Sequence, residues 1–307
     1  MPDALFADIK PGLRRRLEFI DLQLLWNGRV NRGDIAARFR ISNQQASADL
    51  ADYERLAPGN LRYDRGLRAY QRGSEYRPRL IANMSDRYLM QLEASRRGLL
   101  PEQDTWFLDP PPFEVARLPR APVDDALLQA LLDAIRNRFE LLVDYASMTG
   151  NPEAPRWIGP HAIAQAAGRW HARCLSPENS DYRDFNLNRI LKIYEARPTR
   201  IDPGHDLEWH TRVDLVLRAN PSYTAAKQAS VRDEYVFQAD ELVVPTRISL
   251  VFYLLHEHNL EEQSDLLPEG KRPLLLVNRE EVARARAAAK EMSKRLVRAA
   301  EASTKPT

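Results

Sequence analysis

Apolar positions in the first fifty-five residues recur at helical spacing in three separate blocks. Leu13, Leu17, Ile20, Leu24 and Leu25 predict a helix over 13–26, and Ile35, Ala36 and Phe39 predict a second over Arg32–Arg40. Ala46, Leu50 and Tyr53 predict a third over Ser42–Arg55, with Ile41 as a buried corner before it. Ser42 is a good N-cap, since its hydroxyl can accept a bond from an unpaired backbone N–H of the first turn. The period then changes to two. Leu61 and Tyr63, then Leu67 and Ala69, supply the inner positions of a hairpin turning at Asp64-Arg65-Gly66, with Arg62, Arg65, Arg68 and Arg72 outward. This is the pattern of a helix-turn-helix with a β-wing, a device that lays one helix into a DNA major groove while a hairpin touches the backbone beside it.

Further along, residues 78–100 read as another helical stretch through Ile81, Tyr88, Leu89 and Leu92. Pro101, Pro110-Pro111-Pro112, Pro119 and Pro122 then predict a stiff spacer. Leu127, Leu128, Leu131, Leu132 and Ile135 resume a helix to about Arg138. From Glu140 five short strands are expected: 141–145, 156–158, 161–164, 169–175 and 183–187, with 188–190 closing the block. Strands this short and close suggest a small, strongly bent antiparallel sheet. After Pro203 come a strand (Arg212–Leu217), a helix (Thr224–Asp233), an apolar patch at Val251, Phe252, Leu254 and Leu255, a strand at Leu274–Val277 and a long helix over Glu280–Arg298. The tail after Ala299 is expected to fray.

At 307 residues the chain should form two or three domains. No apolar run approaches the roughly 20 residues of a membrane helix, and no export signal is evident at the N-terminus. The single cysteine, Cys174, rules out an internal disulfide and fits a reducing cytoplasm. Net charge is only +2, but residues 1–80 carry 15 Lys+Arg against 10 Asp+Glu, and 14 of those cations are arginine. Arginine suits phosphate and guanine edges, so this bias strengthens the helix-turn-helix reading. Arg14, Arg15 and Arg16 fit either a solvated helix end or phosphate contact. The first turn of the third helix offers Asn43, Gln44, Gln45 and Ser47, side chains able to read bases or bridge to phosphate.

Catalysis finds little support. No Gly-rich phosphate loop, nucleophile elbow or zinc-spaced Cys/His cluster is present. His256-Glu257-His258 invites a metal reading only on a strand; on the helix that the apolar spacing favours, i and i+2 point apart. Neither a metal nor a cofactor is expected.

The middle block is richer in polar residues than a plain β-core requires. Tyr145, Ser147, Arg156, His161, Trp170, His171, Arg173, Arg183 and Arg189 sit on strands or at their ends. A bent sheet could gather many of them at one mouth, where arginines beside Trp, Tyr and Ser suit a phosphate-bearing, nucleotide-like ligand. Blander readings remain: Trp170 as core, Arg183 and Arg189 as paired surface charges, and His161 as a turn residue.

In these segments the chain resembles the WYL-domain transcriptional regulators, in particular repressors linked to phage-defence islands of the BREX and CBASS type. The resemblance rests on Asn43-Gln44-Gln45-Ala46-Ser47 and Asn60-Leu61-Arg62-Tyr63-Asp64. In the middle block it rests on Tyr145-Ala146-Ser147, Arg156 to His161, Gly168 to Arg173, and Arg183-Asp184-Phe185 to Ile190. The name-giving triplet is Trp170-His171-Ala172 here, a departure from Trp-Tyr-Leu. The resemblance implies an α+β chain with a winged helix-turn-helix over 1–100, a linker over 101–122, an Sm-like WYL sensor over 123–202 and an α/β dimerisation domain over 203–307. It further implies a sensor pocket built from Tyr145, Ser147, Arg156, His161, His171, Arg183 and Arg189.

The expected function is that of a cytoplasmic, homodimeric repressor. It would bind an inverted-repeat double-stranded operator through Ser42, Asn43, Gln44, Gln45, Ser47, Arg62, Arg65 and Arg68, and answer to a nucleotide-like or nucleic-acid effector. The alternative is an accessory module of a defence enzyme that grips single-stranded nucleic acid.

Overall fold

Pro11 opens the first helix, where its missing N–H is no loss and its fixed φ suits the turn. The computed structural model describes residues 9–82, 84–148, 154–199 and 202–303. They form two compact units, divided between Pro119 and Arg120. Among the described residues no helix is long and apolar enough to cross a membrane.

In the first unit α1 (Pro11–Trp26) is followed by β1 (Arg29–Val30), α2 (Arg32–Phe39) and α3 (Asn43–Leu56). Asn31 and Asp34 form a reciprocal capping box at the start of α2. The helix ends on Arg40 in the left-handed region (φ 52°), which produces the sharp corner before Ser42. Leu17, Ile20 and Leu24 of α1 meet Ile35 of α2 and Ala46, Leu50 and Tyr53 of α3 in one core. β2 (Leu61–Asp64) and β3 (Ala69–Arg72) make the wing, and β1 adds a third strand that the sequence pattern does not reveal. Two residues are too short for a period to show.

The wing departs from expectation at its tip. Leu61 and Ala69 are buried, but Tyr63 and Leu67 are 52% and 55% exposed. Asp64 accepts the backbone N–H groups of Gly66 and Leu67 at 2.8 and 3.0 Å, so Leu67 belongs to the turn instead of the second strand. Tyr63 packs edge-on against Tyr70 and covers no core residue.

The expected helix over 78–100 contracts to α4 (Ser85–Arg96). Leu80 and Ile81 are buried outside any helix, where Asp21 accepts the N–H groups of Arg79 and Leu80 at 2.8 Å each. Leu92 faces inward and Leu89 outward. Within the segment expected as a spacer, Trp106 is held on this unit by Gln23 and Gln91, and Phe107 packs against Tyr88. Arg96 grips Glu114 with both guanidinium arms.

The second unit starts with α5 (Asp125–Asn137), capped by Asp124. Five antiparallel strands follow: β4 (Phe139–Tyr145), β5 (Arg156–Ala166), β6 (Arg169–Ser176), β7 (Asp181–Asn186) and β8 (Ile190–Pro198), in the spatial order β7-β6-β5-β4-β8. The count agrees with the sequence, the composition of the set does not. Residues 156–158 and 161–164 are one strand, interrupted only by a register shift after Pro160. Proline, lacking an N–H, is tolerated within a sheet at such irregularities. β8 is the fifth strand; its apolar residues Ile190, Leu191, Ile193 and Tyr194 do not alternate with a period of two, and past Ile190 the strand is largely exposed.

Beyond it, α6 (Leu207–His210), β9 (Arg212–Ala219), α7 (Ala225–Glu234), β10 (Leu242–Arg247), α8 (Val251–Glu257), β11 (Leu274–Leu276) and α9 (Arg279–Ser303) complete the unit. β9 is the centre of a three-stranded antiparallel sheet, and α9 buries Val282 and Ala289 in the core beneath it. Nearer its end, Val297 of α9 packs against Leu175 and Tyr182 of the five-stranded sheet. The sheet and the C-terminal elements therefore share a continuous contact. His256 and His258 stand at the end of α8, where His256 meets Glu261.

Candidate nucleic-acid interface and sensor face

Ser42 caps α3 by accepting the N–H of Gln45 at 3.1 Å, which sets where the helix begins. Ser42, Asn43, Gln44, Gln45 and Ser47 are all exposed on that first turn. Alanine at Ser42 should lower the stability of this unit by about 1 kcal/mol, readable as a shift in denaturant midpoint. Ser47 donates to the carbonyl of Asn43, leaving its oxygen lone pairs outward. Gln45 is different: its amide nitrogen donates to Asp49 at 3.0 Å. Asp49 is fully buried and also takes Arg16 through Nε (2.6 Å) and Nη2 (3.0 Å). The Asp49 bond raises the Arg16 guanidinium above its ordinary range.

On the wing Arg62, Arg65 and Arg68 are exposed, and none meets a carboxylate among the described residues. Arg62 donates to Gln71 across the hairpin. Arg68 has φ 51° within the turn. Arg72 is directed back to the carbonyl of Leu25.

The sheet sorts five of the nine candidate sensor residues by face. Register places His171 opposite Asn186, Arg173 opposite Asp184 and Leu175 opposite Tyr182, so these six share a face. Trp170 and Arg183 point to the other side, Trp170 half exposed and Arg183 paired with Asp181. Tyr145 also packs on that other side, against Phe185, and its hydroxyl accepts the N–H of Asn186 at 3.3 Å. Trp170 and Arg183 therefore do not share the face of His171 and Arg173.

The face bearing His171 and Arg173 is closed by the C-terminal elements. Arg173 is buried and holds Asp206 through two bonds at 2.7 and 3.0 Å. It also meets Glu208 at 3.0 Å and Asp184 at 3.4 Å. His161 meets the same Asp206 carboxylate at 2.9 Å. Burial alone would push the Asp206 carboxyl up, but the His161 and Arg173 bonds outweigh it and hold the group below the usual carboxylate range. Asp184 and Glu208 go the other way: burial raises both against the pull of Arg173. One guanidinium thus faces three largely buried carboxylates.

His171 lies at the far end of this face, 5.1 Å ring to ring from Tyr253. Tyr253 donates its hydroxyl to Asp184 at 3.2 Å. The Nδ1 atom of His171 is buried and has no hydrogen-bond partner among the described residues. Burial holds the imidazole below its ordinary pKa, and the charges of Arg169 and Arg189 add to the effect while Asp184 opposes it. Arg189 sits in the short turn after β7, where its carbonyl accepts the N–H of Ala146. Ser147 follows β4 and Arg156 opens β5 at that same end of the sheet.

Comparison with known proteins gives this layout its family. The chain matches the BrxR transcriptional regulator winged helix-turn-helix domain over residues 12–94. It matches the WYL domain over 126–194 and the BrxR C-terminal dimerization domain over 212–282. The DNA-binding transcriptional repressor CapW of Escherichia coli (strain KTE188) is 34% identical over 274 residues, spanning 88% of this chain and 91% of the relative. CapW of Pseudomonas aeruginosa is 33% identical with the same coverage, and CapW of Stenotrophomonas maltophilia is 33% identical across 90% of this chain and 93% of that one. The chain belongs to the BrxR/CapW family of WYL-domain transcriptional regulators.

All three matched segments of this BrxR/CapW-family chain are domains of transcriptional regulators. Sequence reasoning overlooked Asp49, Asp184, Asp206, Glu208 and Tyr253, which set the geometry of the residues it did pick. A weak signal existed for Asp49: it follows Gln45 by four positions on an amphipathic helix, where side chains meet. For Asp206 there was none, since its partner Arg173 lies 33 residues away.

Proposed function

We propose that this protein represses a phage-defence operon by binding an inverted-repeat operator as a homodimer, under control of a nucleotide-like or nucleic-acid ligand at the WYL sheet. The observation that carries the DNA part is the exposed, polar first turn of α3, with Arg62, Arg65 and Arg68 exposed on the wing of the same unit. A helix N-terminus bearing amide side chains suits base edges, and exposed arginines suit the flanking phosphates. The curated relatives are named as DNA-binding transcriptional repressors, which supports the same reading. The ligand part is supported by the buried Nδ1 of His171, which has no hydrogen-bond partner among the described residues, beside the charges of Arg169 and Arg189.

Gel shifts with the DNA upstream of the protein's own coding region test the proposal. A duplex with half-sites about 10 or about 20 base pairs apart should bind about a thousandfold or more tighter than random duplex. Arg62→Ala and Arg65→Ala should weaken binding to every duplex and each lower the salt slope by about 1. Nucleotides or short single strands, added to the complex, should shift operator affinity by roughly 5- to 150-fold, and His171→Ala should abolish that response. Equal affinity for all duplexes, or preference for single strands, would favour the accessory-module reading instead.

A further inference from the structure

The contacts of Asp49 bear on which base the recognition helix selects. Asp49 is one turn beyond Gln45 on α3, and its fully buried carboxylate takes two arms of Arg16 and the amide nitrogen of Gln45. Arg16 is anchored in turn by donating Nη1 to the carbonyl of Gly12 at 3.1 Å. A carboxylate can only accept hydrogen bonds, so the end of the Gln45 amide that faces it must be the NH₂. The flipped amide would bring two oxygens together about 3 Å apart beside a buried charge, which is strongly unfavourable. A glutamine on an open helix surface is free to offer either end. Gln45 is exposed, yet it is committed to one orientation.

We propose that Asp49 is a positioning residue for operator recognition, locking the Gln45 amide so that Oε1 and the remaining N–H face outward as a fixed acceptor–donor pair. That pair matches adenine in the major groove, where N6 donates and N7 accepts. It opposes guanine, whose O6 and N7 both accept and would set an oxygen against Oε1. The inference rests on the reading of α3 as the helix that enters the major groove. Asn43 and Gln44, the other amides of that turn, hold no side-chain bond of this kind among the described residues, so their readout adapts to the base they meet. The selectivity of the half-site is therefore sharpest at the base opposite Gln45.

Selection from a duplex pool randomised across the half-site, run on the full-length wild type, Gln45→Ala and Asp49→Asn, tests this. The wild type should prefer adenine over guanine at one position of each half-site by roughly 5- to 150-fold. Gln45→Ala should lose preference at that position alone. Asp49→Asn can present its own NH₂ to Gln45, which permits the flipped amide, so guanine should become acceptable at that same position while the other positions keep their bases. A purely structural role for Asp49 would lower affinity uniformly with the adenine preference kept, and that result overturns the proposal. So does a Gln45→Ala profile equal to wild type, a result available even where Asp49→Asn fails to fold, because Gln45 is exposed. A wild type that enriches no sequence refutes the operator reading itself and this inference with it.

Discussion

Arg173→Ala should cost the second unit about 3–5 kcal/mol, the range seen when one member of a buried charge network is removed. The guanidinium is the cation among Asp206, Glu208 and Asp184, and all four side chains are largely withdrawn from water. Without it the Asp206, Glu208 and Asp184 carboxylates lie close together and lose the cation they share. The surroundings already strain to hold this charge: burial raises Asp184 and Glu208 even with the arginine present. The defect should therefore shrink as pH falls, since protonation neutralises carboxylates whose pKa is raised and removes the repulsion that the variant leaves behind. Chemical denaturation of the full-length variant, followed by tryptophan emission at neutral and mildly acidic pH, measures both effects. A loss under about 1 kcal/mol would mean that water or rearrangement replaces the guanidinium, and that the network carries little stability. The contact joins β6 to the segment just before β9, so its loss should loosen the WYL sheet from the C-terminal elements.

The winged unit has a comparable single point of dependence at Asp21. This fully buried carboxylate accepts the hydroxyls of Tyr53 (2.5 Å) and Tyr76 (3.0 Å) and the backbone N–H groups of Arg79 and Leu80 (2.8 Å each). It ties α1 to α3 and to the chain that leaves the wing. Burial, with Asp21 nearby, pushes the phenols of Tyr53 and Tyr76 well above their ordinary range, so both remain donors. In Asp21→Ala the tyrosine hydroxyls can turn elsewhere, but the two backbone N–H groups cannot. Leaving those two unsatisfied costs about 2–6 kcal/mol, at about 1–3 each. A domain's whole stability is about 5–15 kcal/mol, so this unit should be largely unfolded at modest temperature and DNA binding lost with it. Asp21→Asn keeps one acceptor oxygen and should fall between the two. Denaturant midpoints of the three proteins check the order, and an alanine variant within about 1 kcal/mol of wild type would refute the assignment.

The helices of the winged unit were readable because their signals are local. Ser42, Asn31 and Asp34 act on N–H groups three residues away, and the apolar period of α1, α2 and α3 repeats within one or two turns. The errors cluster where a local pattern had a non-local competitor. Leu67 alternates correctly with Ala69, yet the Asp64 side chain draws it into the turn. Ile81 has helical spacing with residues after it, yet Asp21, some sixty residues earlier, captures the adjoining backbone and holds it out of the helix. In the WYL sheet the residue types of a polar site were evident, but alternation across paired strands places Trp170 and Arg183 on the face away from His171 and Arg173.

By itself, the sequence determined where the three helices of the winged unit lie, that a basic helix-turn-helix precedes an antiparallel β-sheet, and which polar residues are exceptional. Periodicity, capping and composition act over a few residues and need no partner from elsewhere in the chain. The tertiary structure alone decided what those polar residues do. Arg16 and Asp49 are 33 residues apart, as are Arg173 and Asp206, and each pair forms only after distant segments have packed. A buried charge takes whichever partner the fold brings within about 3 Å. No spacing along the chain encodes that choice, which is why His161 and Arg173 read as ligand contacts and fold as an internal clasp.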